Sequence, residues 1–289
     1  AEDGRAWISG KARYVRVYSA GGEPLPLSET PAPQIPPATS TPAPPGPELQ
    51  GHILFTVLNR GYRPRPLYDL YIARVDGSER KLVAPGMRQP DIRPDGLIVA
   101  NGDGLPGRET LFTINLETGE MRQASANAND VRPCWSPDGG RILYSNLYRN
   151  EMVVQDGAFR DAFKHILYYD VTILVGKHPT WVDGNHIVYN GCDVWYTDGA
   201  CGLYLADITG RERPIRLTEH PGDLTPEVYN GRIAFTSNRG RNWDIYLVNL
   251  DGTGLKRLTE NPARDGLPTW SPDGKAIAFL SDRDGSWAV

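Results

Sequence analysis

Residues 268–282 read PTWSPDGKAIAFLSD, and residues 133–146 read PCWSPDGGRILYSN. The centre of each stretch is a turn. In Ser271-Pro272-Asp273-Gly274 the proline presets φ near −65°. The aspartate can hydrogen-bond its own backbone, and the glycine supplies the positive φ of a tight reversal. Short apolar runs flank the turn, Thr269-Trp270 before it and Ala276–Phe279 after it. Two extended runs around an Asp-Gly turn predict a β-hairpin. Neither copy contains a nucleophile–base pair or a metal-ligand spacing, so the repeated phrase describes architecture.

Degraded copies occur along the chain: PDIRPDGLIVAN from Pro90, PTWVDGNHIVYN from Pro179 and PEVYNGRIAFTSN from Pro226. The leading prolines 90, 133, 179, 226 and 268 are 43, 46, 47 and 42 residues apart. The apolar run after the turn has a sixth copy, GHILFTV at 51–57. Its central isoleucines, Ile53, Ile98, Ile142, Ile187, Ile233 and Ile277, recur every 44 to 46 residues. A second phrase follows most of these runs: DLYIARVDG (69–77), TLFTINLETG (110–119), ILYYD (166–170), GLYLADITG (202–210) and DIYLVNLDG (244–252). Its alternation predicts a third strand. Fragments such as KLV, IRLTE and KRLTE predict a fourth. A unit of roughly 45 residues with four short strands and no helical period is the pattern of a propeller blade.

The expected fold is therefore all-β: a six-bladed β-propeller of four-stranded blades, the last blade incomplete. Trp135, Trp181 and Trp270 are expected near the centre, packed between neighbouring blades rather than free to stack a ligand. NEMVVQDGAFRDAFK (150–164) is read as an insertion between the second and third strands of its blade.

The pattern P-x-W-S-P-D-G-x-x-I-x-F-x-S…D-I-Y-x-x-N-x-D-G-x-x-x-x-L-T resembles the repeat of the TolB-like propellers, a WD-type family. The resemblance covers residues 51–289 and is specific for fold, because the shared residues belong to turns and core. It implies a non-enzymatic module that docks a partner at the channel mouth.

Residues 21–50 read as a proline-rich linker, with eight prolines among residues 31–47. That segment suits a stiff polyproline spacer, open to O-glycans, or a recognition segment for self-assembly. Residues 1–20 read as the tail of a small β domain or as a closing strand. AEDGRAWISGKARYVRVY (1–18) resembles the last strands of a bacterial Src-homology-3-type domain, which would make the chain part of a longer protein. The first unit lacks a P-x-W-S strand before Gly51, and the last stops soon after its second strand. Either a C-terminal extension or the N-terminal segment must close the ring, and the extension is the preferred reading.

A net charge of −4 without a basic stripe argues against nucleic acid. No run approaches the ~20 apolar residues of a membrane span. Cys192 and Cys201 flank DVWYTDGA, where a hairpin could bring them together; a disulfide is the preferred reading over two free thiols. Such a bridge implies an extracellular, cell-surface or periplasmic location. Cys134 reads as a buried small apolar residue.

Chemistry is sparse. There is no G-x-S-x-G elbow and no H-E-x-x-H. No cofactor is expected; the loops SDRDG (281–285) and SNRGRNWD (237–244) leave calcium open. The channel rim supplies the binding candidates: Arg88, Asp130, Arg132, Lys177, His178, Asp223 and Asp265. His178 with Asp223 is the pair to consider for acid–base work. The expected function is a non-enzymatic binding or scaffold module outside the cytoplasm, facing a protein or cell-wall partner. The alternatives are a subunit of an extracellular assembly and the propeller part of a hydrolase or lyase.

Overall fold

A computed structural model describes residues 5–9, 51–62, 64–104, 110–157, 164–192 and 200–289. The proline-rich segment and most of residues 1–20 lie outside the described residues. Among those described there is no helix, hence none long and apolar enough to cross a membrane.

Five four-stranded sheets succeed one another along the chain. The first holds β1 (Arg5–Ser9), β2 (His52–Asn59), β3 (Leu67–Arg74) and β4 (Lys81–Ala84). The second holds β5 (Met87–Ile92), β6 (Leu97–Gly102), β7 (Leu111–Asn115) and β8 (Met121–Gln123). The third holds β9 (Asp130–Trp135), β10 (Arg141–Asn146), β11 (Glu151–Asp156) and β12 (Lys164–Ile166), followed by a small hairpin, β13 (Tyr168–Tyr169) and β14 (Thr172–Ile173). The fourth holds β15 (Gly176–Trp181), β16 (His186–Cys192), β17 (Cys201–Asp207) and β18 (Ile215–Arg216). The fifth holds β19 (Leu224–Tyr229), β20 (Arg232–Ser237), β21 (Asp244–Asn249) and β22 (Lys256–Arg257). A two-stranded sheet follows, β23 (Asp265–Trp270) with β24 (Ile277–Ser281).

Among the described residues the propeller therefore has five four-stranded blades, not six. The sixth repeat is a two-stranded unit, because the residues after Ser281 form a turn and one bridge, Ser281 to Ala288. A second correction concerns residues 150–164. Met152, Val153 and Val154 are buried in β11, the third strand of its blade, so this stretch is no insertion. ILYYD, read as the third strand, is instead shared between β12 and the β13–β14 hairpin.

The N-terminal segment fills the first blade. β1 pairs in parallel with β2, Arg5 opposite His52 through Ser9 opposite Thr56, in the place an antiparallel inner strand takes elsewhere. The structure thus assigns this inner strand to the segment that the sequence reading ranked second.

The six repeated isoleucines occupy the second strand of each unit and are buried. Each packs into a cluster shared by adjacent units. Trp181 joins Leu143 and Met152 of the third blade with Ile187 and Tyr204 of the fourth. Trp270 likewise joins Ala234, Ile245 and Leu247 of the fifth blade with Ile277 and Phe279. Ile53 and Phe55 meet Leu280 and Val289, so the first blade packs on the last unit and the ring is continuous. Arginines of the preceding blade cover three tryptophans: Arg93 over Trp135 and Arg141 over Trp181, each at 5.0 Å, and Arg232 over Trp270 at 5.4 Å. Arg93 also donates to the carbonyl of Gly139 in the next blade's turn at 2.9 Å.

The Ser-Pro-Asp-Gly turns form as read. Gly139 (φ 71°) and Gly274 (φ 65°) donate to the carbonyls of Ser136 and Ser271, each at 2.8 Å. The Ser271 hydroxyl donates to Asp273 and accepts from the Ala276 amide.

Candidate functional site

Five inner strands, β5, β9, β15, β19 and β23, converge on a central channel of about 580 Å³. Each carries the same irregularity. Gln89-Pro90, Arg132-Pro133, His178-Pro179, Thr225-Pro226 and Leu267-Pro268 each set two residues against one on the second strand, a β-bulge. Proline has no N–H to lose from the ladder, so it suits the extra position. The residue before each proline is left-handed, with φ between 50° and 54°. That conformation costs a non-glycine residue about 1–3 kcal/mol and persists only where its surroundings enforce it.

The enforcement runs between blades. The Gln89 side chain accepts from the Arg132 amide at 3.1 Å. His178 Nδ1 accepts from the Thr225 amide at 3.3 Å. Thr236 Oγ1 accepts from the Leu267 amide at 2.9 Å. All five bulge residues line the channel.

These residues form an upper tier. Burial, then the nearby charge of Arg88, lowers the Arg132 guanidinium to about 10, so it stays charged at neutral pH. Burial, then the charges of Arg132 and Lys177, lowers His178 to about 3 and keeps it neutral. Its Nδ1 therefore remains an acceptor, with the proton on Nε2. Arg88 donates from Nε to Asn101 Oδ1 at 3.1 Å and lies 3.4 Å from Asp103.

A lower tier lies two residues further along each strand: Asp91, Cys134, Thr180, Glu227 and Thr269. Asp91 accepts from the Trp135 amide at 2.6 Å. Burial, then the Asp91 charge, raises Glu227 to about 8. Burial also pushes the Cys134 thiol up, and its sulfur donates to the Pro179 carbonyl at 3.5 Å. The channel thus changes from cationic to acidic along its length.

Of the rim residues expected from sequence, Arg88, Arg132 and His178 line the channel. Lys177 is exposed beside it. Asp130, Asp223 and Asp265 are not rim groups. They are buried and tie each inner strand to the loop beyond the second strand. Asp130 accepts from Asn146 at 2.8 Å, and Asp223 from Ser237 at 2.6 Å and from Arg239. Both carboxylate oxygens of Asp265 accept from Arg283 at 3.0 Å. The SNRG and SDRD loops are therefore arginine clamps. Among the described residues no three His, Cys, Asp or Glu side chains gather as metal ligands would. His178 and Asp223 form no acid–base pair, since His178 Nδ1 serves Thr225 and Asp223 serves Ser237 and Arg239.

Sequence reading passed over Asp91 and Glu227. Period-two alternation about each repeated proline was the signal that could have found them. Cys192 and Cys201 face each other in register on β16 and β17, and their sulfurs are bonded.

Residues 148–289 match the PD40 family, described as TolB beta propeller domain. The Tol-Pal system protein TolB of Francisella tularensis is 31% identical over 149 residues, 49% of this chain and 32% of that protein. Dipeptidyl-peptidase 5 of Porphyromonas gingivalis is 44% identical over 43 residues, 15% of this chain and 6% of that protein. The chain thus spans less than a third of the length of these curated relatives. Among solved structures, that of putative TolB from Agrobacterium tumefaciens superposes with a TM-score of 0.57 at 22% identity, over 70% of this chain and 73% of that one. Residues 148–289 match the TolB β-propeller domain, and the described residues together form a β-propeller of five four-stranded blades, a fold shared with putative TolB from A. tumefaciens.

Proposed function

We propose that the chain is a binding module, not an enzyme, that receives part of a protein partner at the cationic end of its channel outside the cytoplasm. The observation that carries this reading is the fivefold recurrence of a left-handed residue before proline, each turned to one open channel. Backbone strain repeated in register marks a surface kept for recognition. The channel chemistry agrees. The Cys134 thiol is pushed away from the thiolate, and His178 is too weakly basic to activate a nucleophile. The bonded Cys192–Cys201 pair supports an oxidising compartment. The F. tularensis relative is named as part of a Tol-Pal system, which supports a protein partner.

A second reading rests on Glu227. A carboxyl raised to about 8 beside Asp91 is the kind of group that acid–base catalysis uses. The dipeptidyl-peptidase relative gives that reading a peptide substrate class.

Site-specific photocrosslinking tests the two. A benzophenone amino acid at Leu267, exposed at the channel, should capture a discrete polypeptide in source cells. The same probe at Leu255, an exposed loop residue outside the channel lining, should not. Equal capture at both positions would remove the channel reading. Peptide cleavage by the purified chain that disappears in Glu227→Gln would establish the enzymatic one.

A further inference from the structure

We propose that the channel mouth holds the carboxylate of an acidic peptide segment, gripped by the Arg132 guanidinium with Arg88 beside it. The proposal deepens the binding reading above and rests on it.

Arg132 is the anomaly. Asp223, Asp244 and Asp265 each hold an arginine in an ion pair, and Asp103 lies within ion-pair distance of Arg88. Arg132 lines the channel half-buried and pairs with no carboxylate among the described residues. The charges that act on it and on its neighbour His178 are cationic: Arg88, Arg132 itself and Lys177. Its backbone is pinned left-handed, and the Gln89 side chain holds its amide at 3.1 Å. The guanidinium is thus a partly desolvated fork of donors, carried on a pinned backbone, with no acceptor among the described residues. Such a fork matches a carboxylate in two parallel hydrogen bonds.

The lower tier sets the depth. Asp91 accepts from the Trp135 amide and its charge acts on Glu227, so an anion meets the Asp91 carboxylate beyond the bulges. A carboxylate therefore rests at the upper tier, with its stem against Pro133, Pro179 and Leu267. That wall favours a peptide over an acidic saccharide. The tryptophans that could stack a sugar ring, Trp135, Trp181 and Trp270, are only 6–7% exposed.

The test pans a random peptide display library on the whole chain and measures the selected peptides by fluorescence anisotropy. Selected peptides should be rich in Asp or Glu. Converting the acidic residue to its amide, or Arg132→Gln in the protein, should each weaken binding about tenfold or more, and Arg132→Lys should restore part of it. Arg88→Gln, away from the strained bulge position, provides a second variant should Arg132→Gln fail to fold, and should weaken the same peptides.

Selected peptides that crosslink at Leu267 yet lack acidic residues, or that bind both variants unchanged, would overturn this proposal and leave the binding reading standing. No selected peptide at all would overturn both. Oligogalacturonate binding to the wild-type chain, lost in Arg132→Gln while acidic peptides fail to bind, would overturn the peptide assignment.

Discussion

Glu227 and His178 face one channel from neighbouring blades, and burial moves their proton affinities in opposite directions. Glu227 rises from an ordinary 4.5 to about 8 on folding. Between those values the folded chain keeps a proton that the unfolded chain has lost, so its contribution falls as pH rises. His178 drops from 6.5 to about 3. Across that window the unfolded chain takes up a proton that the folded chain refuses, so its contribution falls as pH falls. The two oppose each other between 4.5 and 6.5, and above 6.5 Glu227 acts alone of the pair. The melting temperature of the wild-type chain should therefore decline between pH 6.5 and 8.5. Glu227→Gln should remove most of that decline and gain about 3 °C or more over wild type at pH 8.5. Asp91→Asn should move the decline to lower pH, because the Asp91 charge is the second cause of the shift. A decline of unchanged slope in Glu227→Gln would refute the assignment. Neither shift was legible in the sequence. Both come from burial in a channel whose walls are supplied by residues more than 40 positions apart.

At the scale of the element, the legible features are those whose chemistry is local. The Ser-Pro-Asp-Gly hairpins follow from the turn preferences of four consecutive residues. The tryptophans follow from the inner-strand repeat that carries them. The bulges were not legible, because a residue before proline ordinarily prefers extended backbone. The left-handed turn is imposed by the second strand on one side and the next blade's amide on the other. The third blade misled for a related reason. Its third strand carries Met152–Val154 without the Asp-Ile-Tyr phrase, while ILYY downstream imitates it. Element packing makes its own prediction. Trp270 is buried among Ala234, Ile245, Leu247 and Phe279, and its Nε1 donates to the Glu227 carbonyl at 3.0 Å. Trp270→Ala should lower unfolding free energy by about 3–5 kcal/mol in urea titrations. Trp287→Ala, at a ring 39% exposed, should cost far less. Comparable losses at both positions would contradict the assignment of Trp270 as a wedge between units.

For the whole molecule the question is how a ring of antiparallel sheets closes. Four of the five blades draw their strands from one continuous stretch of sequence, and period counting finds them. The first blade does not. Its inner strand comes from Arg5–Ser9, more than 40 residues upstream of β2, and runs parallel. Sequence repeats could not reveal this, since β1 shares neither the phrase nor the direction of the strands whose place it takes. The missing rim aspartates have a similar explanation. Their position ahead of each inner strand was legible, but the arginines and serines that bury them arrive from the loop beyond the second strand. The closure has a measurable consequence. β2 has β3 on one side and β1 on the other, so removing β1 opens a ladder edge on a strand whose Ile53 and Phe55 also hold the last unit. An open edge of that kind pairs with other chains. Deleting residues 1–9 should lower the melting temperature and produce concentration-dependent association in size-exclusion chromatography with light scattering. The substitution Trp7→Pro, which removes one amide from the middle of β1 opposite Leu54, should give a smaller effect of the same sign, about 1 kcal/mol in urea. A deletion variant that stays monomeric and melts with the wild-type chain would show that β2 does not depend on β1 and that the propeller closes through the Ile53–Leu280 contact alone.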